Sequence, residues 1–132
     1  MTVAARQSQL QDAHFIRVNV AFNTSASGTQ VSLGAALPAN AVVLYTSVGI
    51  QTVFNAGTTN VLIVGTAADP DALVAAGGVD ETAVGVTNVV PATLGGIMSS
   101  SADTELFYTF TQSGTAATTG AATITVVYAP NI

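Results

Sequence analysis

A chain of 132 residues without cysteine is the size of one domain, able to bury a core without disulfides and barred from thiolate metal sites and nucleophiles. Two arginines and no lysine stand against seven acids, a net charge of -5, which excludes the clustered cations that bind nucleic acid. Only 7% of residues are charged, against about 25% in an ordinary domain, so partners or self-assembly are expected to occupy much of a surface that would otherwise associate.

Residues 1–14, MTVAARQSQLQDAH, are polar and carry no sustained apolar stripe; they are expected to form an arm or a short helix ahead of a single domain over 15–132. They lack the apolar core of a signal peptide, and nowhere does the chain hold an uninterrupted apolar run of roughly 18 residues. Synthesis and assembly in a cytoplasm, with no membrane partner, is the expectation. From His14 the pattern changes: Ile16, Val18, Val20 and Phe22 alternate with Arg17, Asn19 and Ala21, the period of a half-buried strand.

NTSASGT, 23–29, is a turn cluster, and QVSLG supplies a short strand. Pro38 and Asn40 then suit a tight turn before a long strand over 41–54. One face of it holds Val42, Leu44, Thr46, Val48, Ile50, Thr52 and Phe54, the better core candidates. The other holds Val43, Tyr45, Ser47, Gly49, Gln51 and Val53 and is only half polar. It is expected to be covered by the opposing sheet or by a second subunit.

NAGTTN links this strand to VLIVGT, 61–66, and the pair reads as a hairpin. In ADPDALVAAGG, Asp69 suits an N-cap, Pro70 the first helical position, Asp71 the positive end of the dipole and Gly77 the stop. A short helical turn is expected near 70–76. Residues 79–103 hold one irregular strand, and TELFYTF with ATITVVY reads as a second hairpin around TQSGTAATTG. About six to eight short strands point to an all-β antiparallel sandwich, for which a jelly roll is the commonest arrangement.

Chemistry is thinly provided. His14, the one imidazole, could recruit Asp12 for a triad, but no G-x-S-x-G elbow accompanies it, and a surface or interface role is expected instead. Asp69 and Asp71 lack the oxygen density of a calcium loop, and the helix-cap reading already explains them. Asp80 and Glu81 mark a solvated turn, and the glycine pairs at 77–78 and 95–96 lack the lysine of a phosphate loop. No enzyme activity, metal or cofactor is expected. Tyr45 and Phe107 are the aromatics outside the expected core; they suit protein-interface anchors better than sugar platforms in so uncharged a setting.

VSLGAALPANAVVLYTSVGIQTVFN, then TTNVLIVGTAADPDALV, then the closing GAATITVVY resemble the small capsid cement, or decoration, proteins of tailed bacteriophages. A leucine-proline turn opens a valine-rich strand ending near Phe54 and Asn55, and a VGT-x-x-DPD segment follows. The likeness spans roughly residues 15–128. It implies a jelly roll or related sandwich on the outer surface of an icosahedral virion, binding the major capsid protein and cementing neighbouring capsomers against internal DNA pressure. It also implies self-association as a homodimer, with a trimer as second choice. Candidate interface residues are Arg6, Leu10, Arg17, Tyr45, Val53 and Phe107. The alternative is a receptor- or glycan-binding tip module of a phage fibre, with Tyr45 and Phe107 as the stacking residues.

Overall fold

The computed structural model describes residues 13–91 and 101–130. The N-terminal arm, with Arg6 and Leu10, and the glycine pair at 95–96 lie outside these residues. Seven strands are described: β1 (His14–Ala21), β2 (Gln30–Leu37), β3 (Val42–Thr52), β4 (Thr59–Thr66), β5 (Gly85–Val89), β6 (Thr104–Ser113) and β7 (Ala121–Ala129). They form a four-stranded sheet in the order β1-β7-β3-β5 and a three-stranded sheet in the order β2-β6-β4, with every pairing antiparallel. The all-β sandwich expected from the strand count is therefore present.

Consecutive strands always lie in different sheets. Pairing is instead nested: β1 with β7, β2 with β6, β3 with β5, and β4 with an isolated bridge at Val74. Both expected hairpins are thereby replaced by crossovers. Phe54 explains the first, because burying its ring carries the chain after β3 over the rim of the core. It is 1% exposed and packs on Phe110 of the other sheet at 4.8 Å between ring centroids. The β6–β7 crossover runs beside the β3–β4 crossover: Gly57 and Thr58 donate backbone N–H groups to the carbonyls of Thr115 and Ser113 at 2.8 and 2.9 Å. Asn55 Oδ1 accepts from the backbones of Thr118 and Thr119.

The core lies between the sheets. Ile16, Val20, Val48, Ile50, Ile124 and Val126 face Leu33, Leu62, Val64, Leu106, Tyr108 and Phe110, all buried. On β3 the expected faces hold only in part. A register shift between Val43 and Tyr45 inserts one residue, as a bulge does, so Val43 is buried while Leu44 is 42% exposed. Beyond the bulge, Thr46, Val48 and Ile50 point inward as the alternation requires.

The helical turn near 70–76 does not form. Ala72 N–H reaches Asp69 O at 3.2 Å, one turn's worth of bonding. The next residues leave for β4, however, where Leu73 N–H and Val74 N–H both donate to Val64 O at 2.9 and 3.0 Å. Pairing along an unfilled strand edge outcompetes propagation of a helix whose nucleus is costly. The same excursion satisfies the outer side of β4: Val64 N–H donates to Val74 O at 3.1 Å and Thr66 N–H to Asp69 O at 2.9 Å. Glu81 completes it, its Oε1 accepting Leu62 N–H at 2.8 Å.

Glu81 is thus no part of a solvated turn. It is 6% exposed, its own carbonyl accepts Phe54 N–H at 2.9 Å, and burial raises its carboxyl above the ordinary carboxylate range, with the Leu62 bond opposing that rise. Asp80 beside it does behave as a turn residue: it is exposed, and its carboxylate accepts from Thr82 N and Oγ1, which lower its pKa.

Three substitutions test these contributions to stability. Because the folded protein holds the Glu81 proton more tightly than the unfolded chain, its contribution is fully present below the unfolded carboxylate pKa and is lost as pH rises through the folded value. Glu81→Gln should therefore melt higher than the parent at pH 7, with the gap closing towards pH 4. Glu81→Ala, which orphans Leu62 N–H, should lose about 1–3 kcal/mol in urea titrations. Gly120 has φ 150° and lies against the Phe54 ring, where a Cβ would meet Cε2 and Cγ at 2.7 Å. Gly120→Ala should cost at least about 2 kcal/mol in the same titration.

Candidate functional site

Strand alternation and register turn the outer face of the four-stranded sheet into cross-strand rows. Phe15, Val127 and Tyr45 make the first, from β1 through β7 to β3. Phe15 is 64% exposed and Tyr45 37%, and Leu44 at the bulge adds to this apolar end. Arg17, Thr125, Ser47 and Asn88 make the second row. Asn19, Thr123, Gly49 and Val86 make the third.

The third row is tied by hydrogen bonds. Gln51 Nε2 donates to Thr123 Oγ1 at 2.7 Å, and that hydroxyl donates to Asn19 Oδ1 at 3.0 Å. One hydroxyl thus links side chains of three strands, fixing polar groups that water would otherwise leave mobile. Gly49 keeps the row low: a Cβ there would stand 3.8 Å from Val86 Cγ2. The result is an open groove of about 550 Å³, running from Arg17 to Val84 and Val86.

All six large hydrophobic side chains exposed among the described residues, namely Phe15, Leu44, Tyr45, Val84, Val86 and Val90, belong to this sheet or flank β5. No carboxylate stands on any of its four strands. The described acids sit elsewhere, at Asp69, Asp71, Asp80, Glu81 and Asp103 in loops and at Glu105 on β6. Asp69 and Asp71 lie together, and a side-chain hydrogen bond that protonated Asp69 donates to the Asp71 carboxylate is the main cause that raises the Asp69 pKa. Among the described residues no three His, Cys, Asp or Glu side chains gather as a metal site would need.

Of the residues singled out from sequence, Arg17 and Tyr45 meet on this face, in adjacent rows with β7 between their strands. Val53 does not join them. It is half-buried in the β3–β4 crossover, where its carbonyl accepts Thr119 Oγ1 at 2.9 Å. Phe107 lies on the outer side of the other sheet, half-buried, in register with Ser32 and Gly65. His14 rests its ring on Tyr128 at 5.8 Å, and Asp12 lies outside the described residues.

Phe15 was legible beforehand: the alternation that buries Ile16 and Val20 turns it outward with Arg17. Leu44 was not, since a bulge leaves no compositional mark. Val84, Val86 and Val90 sit in a stretch whose register only β3 defines.

No protein-family model and no curated protein matches the sequence. Among solved structures, a chain of the cyanophage Pam1 capsid asymmetric unit superposes with a TM-score of 0.71 at 16% identity, over 99% of this chain and 94% of that one. Its fold is found in a phage capsid. A chain in the capsid of Ralstonia phage GP4 superposes with a TM-score of 0.64 at 19% identity, over 100% of this chain and 92% of that one. Both matches run nearly end to end, so the shared fold covers both sheets and the crossovers between them.

The hydrogen-bonded row generates one expectation. Thr123→Val keeps the shape but removes the shared hydroxyl, and should lower stability by about 1 kcal/mol in thermal unfolding. Asn19→Ala should cost less, since the Thr123 hydroxyl keeps its bond from Gln51.

Proposed function

We propose that this protein is a non-enzymatic virion component, a cement protein that docks the outer face of its four-stranded sheet on the exterior of an icosahedral phage shell. There it bridges neighbouring copies of the major capsid protein and braces the shell against the pressure of packaged DNA. The observation that carries the reading is that all six large hydrophobics exposed among the described residues lie on this one charge-poor sheet or flank its edge strand β5. Single exposed apolar residues are ordinary, whereas a collection on one face marks an interaction surface. The end-to-end likeness to similarly short chains in two phage capsids supports the same setting.

The nested pairing fits a jelly roll whose eighth strand has shrunk to the Val74 bridge. One long antiparallel ribbon, doubled at the 67–73 loop, wraps so that each paired duplex contributes to one sheet or the other. Self-association as a homodimer is assigned to the opposite sheet, around Phe107. A glycan-binding tip is the weaker reading because Tyr45 and Phe107 lie on opposite faces and cannot sandwich one sugar.

Copy number in purified particles, by quantitative gel against the major capsid protein, tests the proposal. Near one-to-one stoichiometry is expected; a handful of copies would shift the role to a vertex or fibre, and none at all would overturn it. Tyr45→Asp should leave the melting temperature of the free protein within a few degrees and weaken shell binding by about tenfold or more. Undiminished binding would remove Tyr45 from the interface.

A further inference from the structure

The groove beside Arg17 combines features that select one kind of occupant. Arg17 is the only cation among the described residues, it is exposed, and it pairs with no described carboxylate. It stands on a face whose four strands bear no acid, in a protein of net charge -5. The other described charges are acids carried elsewhere, so among the described residues this face is the one positive spot.

The walls of the groove restrict the partner further. Thr125 and Ser47 continue the Arg17 row as hydroxyls, while Val86 across the groove is 72% exposed. Such a channel suits an extended segment that offers one carboxylate to the guanidinium and an apolar side chain to the valine. A phosphate backbone would need several cations in line, and one is present.

A second copy docked isologously is disfavoured by the same inventory. A two-fold contact brings the same patch to itself, and this patch holds an arginine and no acid to receive it.

We infer that the groove receives an extended, carboxylate-bearing segment of a different protein, with Arg17 as the residue that fixes its register. The inference rests on the shell-binding role proposed above and names the chemistry of the partner at that face. The aspartate or glutamate is expected to be flanked by a small or β-branched residue lying against Val86.

The test uses full-length protein and purified phage shells stripped of it, with binding measured across a salt series. Arg17→Glu should bind at least about tenfold more weakly than the parent while keeping its thermal unfolding curve. Thr125→Glu gives a second handle, because Thr125 is the register partner of Arg17. A carboxylate there would satisfy the guanidinium from within and should also weaken binding. Replacing the responsible shell carboxylate by arginine should restore binding of Arg17→Glu.

If the parent binds and both variants bind equally well, the inference falls and the cement role stands. If the parent itself fails to bind shells, the cement role falls and takes the inference with it. If Arg17→Glu leaves shell binding intact but splits an oligomer of the free protein in sedimentation, the occupant is another copy and the inference is overturned.

Discussion

The structure depends on the burial of Phe54 between the two sheets. Its ring contacts Phe110 on one side and lies against a glycine, Gly120, on the other, while its amide is held by the Glu81 carbonyl. That arrangement makes β3 end in a crossover rather than a hairpin. Once β3 and β4 lie in different sheets, the other strands can close the core only by pairing with distant partners. The nested order of the sandwich thus follows from a local demand for burial at one corner.

Glu81 extends the same corner. Its carbonyl fastens the end of β3, and its carboxylate fastens the middle of β4, so one residue links neighbouring strands that share no ladder. A buried carboxylate is costly unless its hydrogen bonds are met. Here the cost shows as a raised pKa and the return as a strand edge with no unmet donor at Leu62, Val64 or Thr66. Less is recovered elsewhere: the hydroxyls of Thr46, Thr109 and Tyr108 are buried without a hydrogen-bond partner of good geometry. For Tyr108, burial raises the phenol pKa and the nearby Thr24 hydroxyl only partly offsets it.

Much of this was legible in the residues. The alternation from His14 locates β1 and turns Arg17 outward, and the scarcity of charge anticipates a face without acids. Tyr45 is likewise on the expected side of its strand. What could not be read was long-range. The bulge that buries Val43 and exposes Leu44 is a matter of register against β7, and the turn chemistry at 69–71 is the same whether a helix follows or the chain pairs with a strand. Glu81 looks like any acid beside an aspartate until β4 is placed next to it. Hairpins were expected because sequence neighbours usually pair, a tendency that the burial of Phe54 overrides.

The covering of β4 also bears on how the free protein avoids pairing with other copies of itself. VLIVGT is short, uncharged and rich in β-branched residues, the composition that seeds cross-β aggregation when an edge is bare. The loop over 69–82 is what keeps that edge occupied. Opening of this loop, a local event that costs less than global unfolding, would bare that edge while the core stays folded. Variants that loosen the loop will precipitate while their melting temperatures still look healthy.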